Sequence, residues 1–96
     1  MNFKERSLAI VDVETSGDDE LVHEILEIGL LVVRDHTFEV LDSANWKIRP
    51  HHIKNAIPAA LERNGYNELD WRDAVELSDV MPLFSQKTKD AIFTAY

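Results

Sequence analysis

Three apolar blocks occupy the first half of the chain, and their lengths and periods set the expected architecture. Ser7–Val13 (SLAIVDV) is short, apolar and rich in β-branched residues, which predicts a strand buried on both faces. Ile25–Val33 (ILEIGLLVV) predicts a second strand of the same kind. In Phe38–Ile48 the residues Phe38, Val40, Ala44, Trp46 and Ile48 share one parity, the period of a third strand. Asp42 interrupts that parity, so a bulge is expected there. The polar link Arg34-Asp35-His36-Thr37 suits a hairpin between strands two and three. Short links between three strands predict an antiparallel meander.

Past Arg49-Pro50 the pattern turns helical. Pro58 suits the first turn of a short helix running through Arg63, with Asn64-Gly65 as its stop. Asp70 is expected to cap a turn carrying Trp71, Ala74 and Val75. Ser78 is expected to cap a helix presenting Val80, Leu83 and Phe84, with Pro82 in its first turn. Lys87–Asp90 is a polar break, and Ala91–Tyr96 (AIFTAY) predicts a fourth strand. An apolar strand with no turn after it reads as part of a longer domain.

Composition narrows the class. A chain of 96 residues, 45% hydrophobic, has the size and apolar share of one small globular domain. No apolar run has the length of a membrane span, and Asp12 interrupts the only apolar run near the N-terminus that could resemble a signal segment. The absence of cysteine removes disulfides and thiolate metal sites and makes a cytoplasmic location the default. The net charge of −8 alone argues against a strong nucleic-acid binder. Its distribution says more: from Ser7 to Val33 there is no Lys or Arg, yet Asp12, Glu14, Asp18, Asp19, Glu20, Glu24 and Glu27 all fall there. Bound cations would relieve that repulsion. Bases gather later, at Lys47, Arg49 and Lys54.

The densest chemistry is Val11-Asp-Val-Glu-Thr-Ser-Gly17 at the end of the first strand. Asp12 and Glu14, two residues apart, point to one face of a strand, with Cα atoms roughly 6.5–7 Å apart. Such a pair suits a hard divalent cation. The plain alternative is two strand-end acids in solvent. Thr15, Ser16 and Gly17 read on their own as a turn. Glu27 sits in an apolar strand, where an acid needs a partner, which makes it a hydrogen-bonding group sooner than a direct ligand.

Asp12-x-Glu14-Thr15-x-Gly17 resembles the first motif of the DEDD (DnaQ-like) 3′–5′ exonucleases. His23-Glu-Ile-Leu-Glu-Ile-Gly29 is similar to that family's second strand. The order that follows, through Pro50, Ile57-Pro58-Ala59-Ala60-Leu61 and Asn64-Gly65 to Ala91–Tyr96, is similar as well. The resemblance implies an α/β, ribonuclease H-like fold: the three-strand meander, then helices and a further strand, with residues 1–96 forming the N-terminal part of a single exonuclease domain. It implies two Mg²⁺ or Mn²⁺ ions, with Asp12 bridging both and Glu14 binding one. It implies Thr15, Ser16, Gly17 and Leu61 near the terminal nucleotide, a nucleic-acid 3′ end (DNA or RNA) as substrate, nucleoside 5′-monophosphates as product, and a polymerase as one conceivable partner. The family's second motif, an Asp shortly after the fourth strand, and its third, with a His and a final Asp, do not occur. None of His23, His36, His51 or His52 matches the family's general base. The expectation is an incomplete exonuclease domain, inactive by itself.

Two enzymatic rivals fail on their motifs. Haloacid-dehalogenase-type phosphotransferases use Asp-x-Asp, and sugar-kinase-like folds use Asp-x-Gly-x-Thr; Glu14 breaks both patterns. The stronger alternative is a non-catalytic binding or interaction module derived from the exonuclease fold, self-associating through an unfinished sheet edge.

Overall fold

In the computed structural model, which describes residues 6–95, four strands form one sheet in the order β3-β2-β1-β4. The strands are β1 (Ser7–Thr15), β2 (Ile25–Arg34), β3 (Val40–Lys47) and β4 (Ala91–Ala95). β1 pairs antiparallel with β2, and β2 with β3, which is the expected meander. β4 lies parallel to β1, and a parallel neighbour requires a crossover. That connection contains helices α1 (Pro58–Arg63) and α2 (Leu77–Lys87). Tyr96, expected to close the fourth strand, lies outside the described residues.

One face of the sheet carries the core. Ala9, Leu30 and Val32 form one buried cluster and Ile28, Ile48 and Val80 a second, both touched by Val11, Trp46 and Phe84. Val80 of α2 is fully buried, a side chain whose removal from water contributes about 2 kcal/mol. Trp46, Phe84 and Phe93 continue this contact across β3, α2 and β4, with ring centroids 6.5 and 6.0 Å apart. Lys87 binds both carboxylate oxygens of Asp42, at 3.3 and 3.1 Å, tying α2 to β3.

A bulge reshapes the start of β2. Glu14 pairs with Glu27 and Thr15 with Ile25, so Leu26 has no partner in the ladder. Ile25 and Ile28 therefore reach the same cluster, while Leu26 buries itself in a third with Trp71 and Ala74, against Leu61 and Tyr66. The Leu26 carbonyl accepts both the Ile48 amide at 2.8 Å and the Trp71 indole N–H at 3.0 Å. Leu61 of α1 and the coil around Trp71 are anchored to the sheet there.

Several sequence expectations need correction. β1 is not buried on both faces: Ala9 is buried, but Asp12 is exposed and Val13 is 42% exposed. β4 pairs with β1 only as far as Val11, so among the described residues Val13 has no strand neighbour on that side. β3 begins at Val40, and Phe38, with a left-handed φ of 57°, belongs to the exposed connection. The β2–β3 ladder does shift beside Asp42, where Leu41 is skipped. Asp70 is not a cap of its turn: Asn67 accepts the Asp70 amide at 2.8 Å through its side chain. α2 starts one residue before Ser78, with Glu76 as N-cap, and Pro82 lies in the second turn, where the Ser78 carbonyl loses its usual donor.

Candidate metal and nucleic-acid cleft

Asp12 and Glu14 stand on the sheet face opposite the α2 core. In register, Asp12 faces Gly29, which faces Asn45, and Glu14 faces Glu27. These five residues, with Arg63 and Asn64, line a cleft of about 400 Å³. The Asn45 amide donates to Glu27 Oε2 at 2.7 Å. Gly29 leaves the floor low between Asp12 and Asn45, since a Cβ there would stand 3.5 Å from Asn45 Oδ1. The fixed donor set is hard oxygen, the kind Mg²⁺ or Mn²⁺ prefers. Among the described residues no group of three His, Cys, Asp or Glu side chains comes together to hold a metal ion.

The turn after Glu14 is held from both sides. Thr15 Oγ1 donates to the Gly17 carbonyl at 2.8 Å. Ser16 is buried; its hydroxyl accepts the Glu24 amide at 2.9 Å, and its own amide donates to the Glu24 carbonyl at 2.9 Å. From the other side, the Asn64 side-chain amide donates to the Thr15 carbonyl and the Ile57 amide to the Ser16 carbonyl, both at 2.8 Å. Both hydroxyls of the turn are thus engaged within the fold. Leu61 is half-buried against the Leu26–Trp71 cluster. Gly17 is buried under the His23 ring, with no room for a Cβ. Thr15 and Gly17 also border a neighbouring groove of about 820 Å³, closed on its far side by Arg49, His51 and Glu76.

Several positions escaped the sequence reading. Glu24 accepts the backbone amides of His51 and His52 on its two oxygens, at 2.8 and 2.9 Å, which clamps the connection after β3 to the start of β2. His23 packs on Gly17 and accepts the Asp19 amide through Nδ1 at 2.9 Å. Asn45 and Arg63 join the cleft from β3 and the end of α1, beside Asn64, which the family resemblance already points to. Only the fold brings them to Asp12, because none lies within 30 residues of it in the chain. Of the later bases, Arg49 pairs with Glu76 at 3.2 Å, and Lys47 sits 5.0 Å over the Trp71 ring. Asp18, Asp19 and Glu20 are exposed.

This arrangement is the fold of the DEDDh-type 3′-exonucleases, of the ribonuclease H-like class. The nuclease domain of 3′hExo, a DEDDh family member bound to rAMP, superposes with a TM-score of 0.72 at 19% identity, over 95% of this chain and 50% of that one. Cell-death related nuclease 4 gives 0.74 at 15% identity, over 96% and 35%. E. coli exonuclease I in complex with a dT13 oligonucleotide gives 0.76 at 16% identity, over 96% and 20%. The chain spans half or less of the length of these proteins. No protein-family model matches the sequence, and no curated protein matches it.

Proposed function

We propose that residues 1–96 are the N-terminal part of one metal-dependent 3′–5′ exonuclease domain, which releases nucleoside 5′-monophosphates from DNA or RNA. The observation that carries this reading is the placement of Asp12 and Glu14 side by side in a cleft of oxygen donors, on a sheet with the exonuclease fold. The two carboxylates would hold Mg²⁺ or Mn²⁺, which supplies a water acidic enough to attack near neutral pH. The turn Thr15–Gly17 and Leu61 would border the terminal nucleotide. Two carboxylates are too few to fix a pair of ions that favour six oxygen ligands each, so no hydrolytic step is assigned to these residues alone.

Mn²⁺ titration with NMR relaxation tests the site. Broadening centred on the amides of Asp12, Glu14 and Glu27, lost in Asp12→Asn/Glu14→Gln, is the expected result. Broadening centred on Asp18–Glu20 instead would overturn it. The chain alone should leave a 3′-labelled oligonucleotide intact; metal-dependent trimming that Asp12→Ala abolishes would refute the incompleteness.

One observation favours an interaction module as the second reading: β4 is an edge strand with Ile92 45% and Phe93 59% exposed. Dimerisation that strengthens with concentration and is lost in Phe93→Lys would support it.

A further inference from the structure

Arg63 ends α1 at the rim of the Asp12–Glu14 cleft. A base suits the negative end of a helix, which accounts for its presence there. It does not account for what the side chain does. Three carboxylates, Asp12, Glu14 and Glu27, line the same cleft, yet among the described residues the Arg63 side chain makes no hydrogen bond or ion pair. Its backbone is not free to drift, because the next residue, Asn64, is bonded through its side chain to the Thr15 carbonyl at 2.8 Å. The carboxylate floor and the backbone that carries Arg63 are therefore tied together across an open cleft, while the exposed guanidinium itself is unbonded.

We propose that Arg63 is a substrate-binding residue that grips a phosphate of the nucleic-acid strand in this cleft. The inference rests on the exonuclease reading above. A phosphodiester laid over the carboxylates needs cations on the floor and hydrogen-bond donors on the opposite side. The floor offers acceptors only, apart from the Asn45 amide, which is committed to Glu27. Arg63 presents donors only, in a planar fork that matches two phosphate oxygens. A guanidinium neutralises and orients a phosphate without exchanging a proton. Since it reads the backbone, its contribution is the same for every base.

The test is binding of a phosphorothioate-linked thymidylate octamer in Mg²⁺, by fluorescence anisotropy across a range of salt. Arg63→Ala should weaken binding roughly tenfold and reduce the salt slope by about 0.7, the share of one single-strand phosphate contact. Arg63→Lys should recover the slope but only part of the affinity, and Arg63→Gln serves if the alanine variant fails to fold. Unchanged affinity and slope in Arg63→Ala, with binding weakened in Asp12→Asn, would overturn the role of Arg63 and leave the cleft reading standing. Absence of binding by the unmodified chain, or binding indifferent to both substitutions, would overturn both.

Discussion

Glu14 stands directly opposite Glu27 across the β1–β2 ladder. Two acids in register on one sheet face repel, by some tenths of a kcal/mol to about 1 kcal/mol. Lys47 follows Glu27 in register on β3, but its ammonium sits over Trp71, and no ion pair with Glu27 forms. The Asn45 amide answers one oxygen of Glu27 without answering its charge. This like-charge pair stands beside Asp12 in the cleft proposed above to hold a cation.

Glu27→Gln should accordingly stabilise the metal-free chain by about 0.5 kcal/mol, because the amide oxygen still accepts from Asn45 while the repulsion disappears. The gain should shrink in high salt. In Mg²⁺ the order should narrow or reverse, since an ion that binds only the folded chain adds about 0.4 kcal/mol when its concentration equals Kd. Urea unfolding with and without Mg²⁺ measures both; a destabilised Glu27→Gln in low salt would show that repulsion is not the governing force.

Trp71 carries the second prediction. Its indole N–H bonds to the Leu26 carbonyl in a buried position, at the bulge that separates two clusters. Trp71→Phe removes that donor and part of the packing against Tyr66, 5.0 Å away between centroids. The Leu26 carbonyl retains the Ile48 amide, so the loss should fall at about 1–3 kcal/mol and not lead to wholesale unfolding. Denaturant midpoints, with hydrogen exchange at Ile48, would report it.

Much of this was legible in the sequence because local pattern decided it. The block Ile25–Val33 had to be a strand, and the two-residue spacing of Asp12 and Glu14 placed both in one cleft. What escaped was decided by contacts distant in the chain. Ser78 has the chemistry of a cap, but α2 begins at Leu77 because Glu76, held by Arg49 and His51, fixes the entry. Ser16 is chemically a ligand candidate in the sequence, and only the Glu24 backbone shows its hydroxyl bonded within the fold. Arg63 carries no local signal of cleft membership, since α1 had first to be docked through Leu61 and Asn64. Phe38 and Val40 have strand parity and still lie exposed, because the ladder shifts at Leu41 and Phe38 takes a left-handed turn conformation.

Acid should loosen the far side of the fold first. Glu76 is held below its ordinary value of 4.5 chiefly by the hydrogen bond from His51, 2.7 Å away, opposed by burial and helped by the charges of His51 and Arg49. Asp42 is likewise held below 3.8, chiefly by its hydrogen bond from Lys87. A carboxyl whose value is lowered on folding contributes stability that is fully present above its unfolded value and lost as pH falls through the folded one. Stability should therefore decline from about pH 5 downward, as these carboxylates take up protons. Glu76→Gln should flatten part of that decline while leaving the Asp42 share. Urea midpoints at several pH values decide it: parallel profiles for the two proteins would show that the Glu76 cluster is not linked to folding.

Gly17 and His23 supply the last prediction. Gly17 is buried, and a Cβ at that position would collide with the His23 ring, which is itself held by the Asp19 amide. Its φ is not left-handed, so the demand for glycine is one of space and not of backbone conformation. Gly17→Ala should destabilise the chain by about 1–3 kcal/mol, the usual cost of overpacking. His23→Ala alone should cost less, since it removes a hydrogen bond in an exposed turn. Because the clash needs both partners, the double variant should be more stable than the sum of the single losses, with a coupling of about 1 kcal/mol or more in a double-mutant cycle. Additive losses would mean that Gly17 is required for the turn itself. The same cycle followed by Mn²⁺ broadening at Asp12 would show whether the His23 ring, by filling the space behind Gly17, keeps the motif turn in the position that the carboxylates need.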